Sequence, residues 1–218
     1  MVEKTEFRKL DDMVYKGTTT VAIVCQNSVV FGTDTRVTMG YFIAHKHGKK
    51  VYKIDEHLAM TIAGVVADAQ NVVEILKANA NLFRLEKERL MPVSAAARLA
   101  ANLLFSSRGF PLILQALIGG MDDTGAHVFA VDPLGSVIEE TCASTGSGSP
   151  VAYGVLEDKY RKDMKVEEGL TLVVSAVTSA MKRDAGSGDS FDIVVVDKDG
   201  YRELTDEEKK AVQTKIVA

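Results

Sequence analysis

Gly17-Thr18-Thr19-Thr20-Val21-Ala22-Ile23-Val24 is the stretch on which the reading turns. Thr is a good strand former, so the run reads first as the opening of a β-strand. It also reads as chemistry. Gly17 lacks a Cβ, so the bond after it can be strained and closely approached. If that bond breaks, Thr18 gains a free α-amine beside its own hydroxyl, and nucleophile and general base share one residue. Upstream, residues 1–16 are polar. Glu3, Lys4, Glu6, Arg8, Lys9, Asp11 and Asp12 leave no apolar core for a secretory signal. Such a leader is either a pro-segment or a frayed terminus.

The 218 residues, 46% hydrophobic and 26% charged, suit one domain with a sizeable core, or at most two small ones. A net charge of −4 argues against nucleic acid or an acidic membrane face as partner. No stretch approaches the ~18 apolar residues of a membrane span, so a soluble, cytoplasmic protein is expected. Cys25 and Cys142 lie in apolar or strand-like surroundings and are read as reduced. Trp is absent, so aliphatic packing must build the core.

Downstream of the opening stretch, Thr19 to Cys25 and Val29 to Thr33 read as a hairpin around Gln26-Asn27-Ser28. Tyr41 to Ile43 and Val51 to Ile54 read as a second strand pair around His45-Lys46-His47-Gly48-Lys49-Lys50. Leu58 to Ala63 is a further strand, ended by Gly64. Strands with no helix between them argue for antiparallel sheet. The period then changes. Ala69, Val72, Val73, Leu76, Ala80 and Phe83 predict a long helix to about Leu90, and Pro92 fits the first turn of a second, with Ala96, Leu99, Ala100, Leu103 and Leu104 on its apolar face. Strands return at 112–118, 127–131 and 136–140. Another helical pair follows, one helix with Ser149 as N-cap and Pro150 at its first position, the other carrying Leu170, Val173, Val174, Val177 and Met181. Phe191 to Val196 is a late strand, Asp199-Gly200 a turn, and Thr205 with Glu208 a capping box for a terminal helix. The order strands, two helices, strands, two helices, strands buries every apolar stripe in an α+β fold, a four-layer α-β-β-α sandwich of antiparallel sheets.

Several chemistries compete for the polar residues. Gly146-Ser147-Gly148-Ser149 invites a phosphate-cradle reading but lacks the P-loop Gly-Lys-Ser/Thr ending and follows no βαβ alternation. The basic run His45 to Lys50 reads as a solvated hairpin rather than a nucleic-acid patch. His45 and His47 are read as strand neighbours on one face; with His57 and His127 isolated, they make a poor zinc set. No Gly-x-Ser-x-Gly elbow supports a Ser-His-Asp triad. Asp34, Lys50 and Asp184 each admit a purely structural reading, as a surface ion pair or a helix C-terminal turn.

Taken together and in order, Gly17-Thr18-Thr19-Thr20, Thr33-Asp34-Thr35-Arg36-Val37-Thr38, Gly48-Lys49-Lys50, Ile62-Ala63-Gly64, Ala143-Ser144-Thr145-Gly146-Ser147-Gly148-Ser149-Pro150 and Arg183-Asp184-Ala185-Gly186-Ser187-Gly188 resemble the catalytic β subunits of the proteasome, most closely the archaeal type. The resemblance implies the N-terminal-nucleophile hydrolase fold. It implies a zymogen whose residues 1–17 are a propeptide removed by autocatalytic cleavage between Gly17 and Thr18, leaving 18–218 as a single domain. It implies a threonine protease in which the Thr18 hydroxyl attacks, Lys50 supports it, Asp34 fixes Lys50, and the Gly64 N–H stabilises the oxyanion. Ser147, Asp184 and Ser187 would hold the Thr18 amine. The substrate pocket would comprise Val37, Thr38, Gly48, Tyr52, Ile62, Val66 and Gln70, mostly apolar, favouring cleavage after hydrophobic residues. Position 34 is Asp where some relatives carry Glu. No metal or organic cofactor is implied. The implied partners are a homo-heptameric β ring, two such rings stacked, flanking α-subunit rings, a separate ATP-dependent unfoldase and unfolded polypeptide substrate. The alternatives are a non-catalytic ring subunit, and another N-terminal-nucleophile amidase acting on small amides.

Overall fold

The computed structural model describes residues 17–217. Its elements run β1 (Thr20–Cys25), β2 (Ser28–Asp34), β3 (Val37–Met39), β4 (Phe42–His45), β5 (Val51–Asp55), β6 (Leu58–Gly64), α1 (Val66–Lys87), α2 (Val93–Ser106), β7 (Leu114–Asp122), β8 (Gly125–Val131), β9 (Val137–Glu140), β10 (Cys142–Thr145), α3 (Ser149–Lys159), α4 (Val166–Met181), β11 (Phe191–Asp197), β12 (Gly200–Glu203) and α5 (Asp206–Val217). The expected leader, residues 1–16, lies outside the described residues.

The strands form two five-stranded sheets, ordered β10-β1-β2-β11-β12 and β5-β6-β7-β8-β9, with β3-β4 as a separate ribbon. Every described pairing is antiparallel. Alternation along each strand assigns its two faces. In β1, Val21, Ile23 and Cys25 pack against Val173 and Val177 of α4. The intervening Ala22 faces the other sheet, in a cluster with Phe31, Ala59, Leu117 and Val128. In β6, Leu58, Met60 and Ile62 face α1 and α2, against Val72, Leu76, Ala96 and Ala100. Apolar residues on both faces of both sheets therefore produce helices, sheet, sheet, helices: the four-layer α+β sandwich expected from the pattern.

The structure corrects several local readings. Phe42–His45 does not pair with β5; it folds back on Val37–Met39, and β5 pairs with β6. The turn falls at Gly40, whose φ of +58° suits a tight reversal, rather than at the basic run. Ala143 to Pro150 reads by its Gly and Ser content as one loop entering a helix, but its first three residues are strand. Cys142–Thr145 forms β10, the edge strand on β1, with Thr20 opposite Thr145 and Ile23 opposite Cys142. Its four small residues carry no alternation that sequence reading could detect. The first long helix stops at Lys87 because Glu88 turns left-handed at φ 53°. Pro92 is the N-cap of α2 rather than part of its first turn. Gly148 caps α3, and Ser149 is its first residue. His47 lies beyond the end of β4, so it shares no strand face with His45. The terminal capping box is present: the Thr205 N–H donates to Glu208 Oε2 at 2.7 Å and the Glu208 N–H to Thr205 Oγ1 at 3.3 Å.

Candidate active site

Four strand registers bring the site together. The β1–β2 hairpin sets Thr20 opposite Thr33, so Thr19 lies against Asp34, whose N–H donates to the Thr19 carbonyl at 3.1 Å. The β1–β10 register places Gly146 to Gly148 beside Thr18, and the Gly148 N–H donates to the Thr18 carbonyl at 3.2 Å. The β2–β11 register sets Phe191 opposite Asp34 and so delivers the loop 184–190. In the second sheet, Val51 lies opposite Thr61, which holds Lys50 at the mouth of β5, its carbonyl accepting from Ile62 N–H at 3.0 Å.

Asp34 is fully buried, and its carboxylate is saturated with donors. Oδ1 accepts from Lys50 Nζ at 2.7 Å and from the Thr19 N–H at 2.8 Å. Oδ2 accepts from the N–H groups of Arg36 and Gly188, both at 3.0 Å. Burial pushes the Asp34 carboxyl upward and the Lys50 ammonium downward, each against the pull of the other's charge. Four donors converging on one carboxylate hold it as the anion, and the surface-ion-pair reading is excluded by that burial.

Around Thr18, itself 4% exposed, a second network closes. The Thr18 N–H donates to Ser147 Oγ at 3.1 Å, and Ser147 Oγ donates to Asp184 Oδ2 at 2.6 Å. Ser187 Oγ donates to the same Asp184 oxygen at 2.6 Å and meets Thr19 Oγ1 at 2.7 Å. Thr18 Oγ1 donates to the Gly17 carbonyl at 2.7 Å, so the hydroxyl is already on the carbonyl that self-cleavage would attack. Gly17 lies directly on Gly186: a Cβ on either would collide with the other's backbone.

Gly64 ends β6 at φ +139°, where an added Cβ would strike the Ile113 carbonyl. It lines a cleft of about 680 Å³ that also contains Gly17, Thr18 and Lys50. All seven expected pocket residues, Val37, Thr38, Gly48, Tyr52, Ile62, Val66 and Gln70, line this same cleft. Every expected site residue is thus brought to one place.

Sequence reasoning missed three contributors. Arg36 spans the site, its Nε on Asp189 Oδ2 at 2.8 Å and its Nη1 on the Ala185 carbonyl at 3.0 Å. Gly188 supplies a donor to Asp34, and Thr19 ties its own hydroxyl to Ser187. The signal was present in Arg36 and in the Gly188-Asp189 end of the second loop, but a partner 153 positions away is not readable from spacing. Among the described residues, no three His, Cys, Asp or Glu cluster to hold a metal, and no helix is long and apolar enough to cross a membrane.

Comparison with known proteins gives a consistent answer. The family model described as Proteasome subunit matches residues 14–196. A protein of Ferroglobus placidus named "Proteasome subunit beta" is 50% identical over 208 residues, covering 95% of this chain and 99% of that relative. One of Methanothermobacter thermautotrophicus, named likewise, is 49% identical over 199 residues, covering 91% and 95%. A third, from Methanococcus aeolicus, is 50% identical over 195 residues, covering 88% and 90%.

Proposed function

This chain belongs to the proteasome subunit family, and on that premise we propose that it is the catalytic β subunit, a threonine-type endopeptidase that hydrolyses unfolded polypeptide. The observation that carries the site assignment is Asp34 Oδ1, which bridges Lys50 Nζ and the N–H of Thr19, the residue next to the proposed nucleophile.

The chain is made as a precursor, with residues 1–17 as propeptide. Thr18 Oγ attacks the Gly17 carbonyl carbon, the C–O bond forms, the C–N bond breaks, and the Thr18 nitrogen takes the proton. Water then hydrolyses the ester, leaving a Gly17 carboxylate and a free Thr18 amine. In the mature enzyme that amine accepts the hydroxyl proton as Oγ attacks a substrate carbonyl. A free α-amine has a reference pKa of about 7.7–8.0, and the neighbouring Lys50 ammonium shifts it lower, toward a base competent near neutrality. Lys50 also stabilises the developing alkoxide, and Asp34 orients Lys50. Ser147, Asp184 and Ser187 hold the amine. The Gly64 N–H receives the oxyanion, a role often worth ~3–4 kcal/mol. The leaving amine takes the proton, and water releases the acyl group from Thr18.

Val37, Tyr52, Ile62 and Val66 give the pocket an apolar wall, which supports cleavage after large hydrophobic residues. Exposed Met39, Tyr41 and Phe42 on the β3–β4 ribbon support packing against other subunits. The assembly proposed is two stacked seven-membered rings of this chain between α-subunit rings, fed by a separate ATP-dependent unfoldase. The free thiols of Cys25 and Cys142 support a cytoplasmic setting.

The test is hydrolysis by the protein assembled with its α partner. An unfolded protein and peptides with a large hydrophobic residue at the cleaved position should be cut, and Thr18→Ala should cut neither. Turnover of a small amide alone would support another amidase. Fastest cleavage after acidic or basic residues would sink the pocket assignment.

A further inference from the structure

Within the basic run His45 to Lys50, His45, Lys46, His47 and Lys49 are exposed as a solvated segment would be, and the run also forms one wall of the cleft that holds Thr18. The lining includes Arg36, His45, Lys46, His47, Lys49 and Lys50, and none of the side chains that line the cleft is a carboxylate. The cations are not equivalent. Lys50 is bound to Asp34, Arg36 to Asp189, and Lys49 to Glu203 at 2.5 Å. Lys46 is exposed and makes no ion pair among the described residues. Asp189 is an acidic side chain within electrostatic reach of Lys46; its Oδ2 is bound to Arg36, and no ion pair joins it to Lys46.

The segment is held in place by its backbone rather than by its charges. Thr35 Oγ1 donates to the Lys46 carbonyl at 2.7 Å, and the Gly48 N–H donates to the Thr35 carbonyl at 2.8 Å. Lys46 is thus anchored to Thr35, the neighbour in sequence of Asp34, which anchors Lys50. The wall's backbone is preorganised, so a ligand's charge that meets the Lys46 ammonium has only that side chain left to order.

We infer that Lys46, flanked by His45 and His47, forms a cationic subsite that selects an acidic substrate residue within about three positions of the cleaved bond. The apolar pocket takes the hydrophobic side chain, and an extended chain rising ~3.3 Å per residue carries its neighbours past this rim. The inference rests on the hydrolase reading and adds a second specificity term to it. Lys46 acts here as a specificity-determining residue, with no part in bond cleavage.

The experiment uses the processed, α-assembled complex and internally quenched peptides that share one hydrophobic residue at the cleaved bond. Glu, Gln or Lys is placed at each of the three positions on either side, and products are identified by mass. At one or more positions kcat/KM should run Glu over Gln over Lys, with Glu over Gln about fivefold, the range of an ion pair at a partly exposed site. Lys46→Gln should bring the Glu-to-Gln ratio at that position near one, and Lys46→Glu should invert the Glu–Lys order. Each ratio is internal to one variant, so a change in overall rate does not disturb it. Cleavage of all peptides without a Glu preference, or a preference unmoved by both Lys46 variants, would overturn the inference and leave the hydrolase reading standing. Cleavage of none would overturn both.

Discussion

Asp34 Oδ1 lies 2.7 Å from Lys50 Nζ, and neither side chain is more than 6% exposed. A buried pair of this kind is costly to break from one side, because the remaining charge has no water to turn to. Asp34→Asn should therefore destabilise the protein by about 3–5 kcal/mol and abolish both processing and peptide hydrolysis. Urea denaturation of the variant checks the first part. A loss below about 1 kcal/mol would mean that the pair is not what holds this end of the two sheets together.

The same pair shapes the pH dependence of the mature enzyme. Activity needs the Thr18 amine neutral and the Lys50 side chain charged. Burial lowers Lys50 from its ordinary 10.5, with Asp34 opposing the fall. A lowered value means the ammonium is lost earlier as pH rises, so the alkaline limb of kcat/KM should begin below 10.5. The acid limb should follow the Thr18 amine. A plateau that runs past that value would remove Lys50 from the catalytic machinery.

Ser147 accepts from Thr18 N–H and donates to Asp184, so it aligns the atom proposed as general base. Ser147→Ala should lower kcat about 10- to 100-fold with KM little changed, a modest share of what proton transfer contributes. The acid limb should also move. A purely structural serine would instead lower stability and leave the pH profile where it was.

Gly64→Ala tests the end of β6. The backbone there stands at φ +139°, and the new methyl would strike the Ile113 carbonyl. Activity should fall at least tenfold as the N–H is displaced, since losing one oxyanion donor commonly costs about 10²–10³. Full activity in this variant would separate Gly64 from the oxyanion.

The layers were legible because they depend on period alone. Val21, Ile23 and Cys25 alternate with Ala22 and Val24, and Val72, Val73, Leu76 and Ala80 recur at helical spacing, so each face announces its neighbour. Strand partners were less legible. Phe42–His45 and Val51–Asp55 are both strand-like, and only the Gly40 turn decides that the former pairs backward with Val37–Met39. Cys142–Thr145 escaped because four small residues on an edge strand carry no strong hydrophobic rhythm. The site residues were legible as an ordered set of motifs, through resemblance. Their cross-links, such as Arg36 to Asp189 and Thr19 to Ser187, depend on strand register and on loops folding back over long sequence distances. The basic run was read by its composition as solvated, and most of its residues are exposed, but its place beside Thr18 depends on tertiary bonds such as those of Thr35 with Lys46 and Gly48.

The central claim is that Thr18 becomes an N-terminal nucleophile by cutting its own chain. The most direct measurement is the intact mass of the protein after assembly with its α partner, for wild type and for Thr18→Ala. Loss of the mass of residues 1–17 in wild type, with the variant at full length, is the predicted result. Full-length wild type in assembled particles, or a variant trimmed at the same bond, would contradict it.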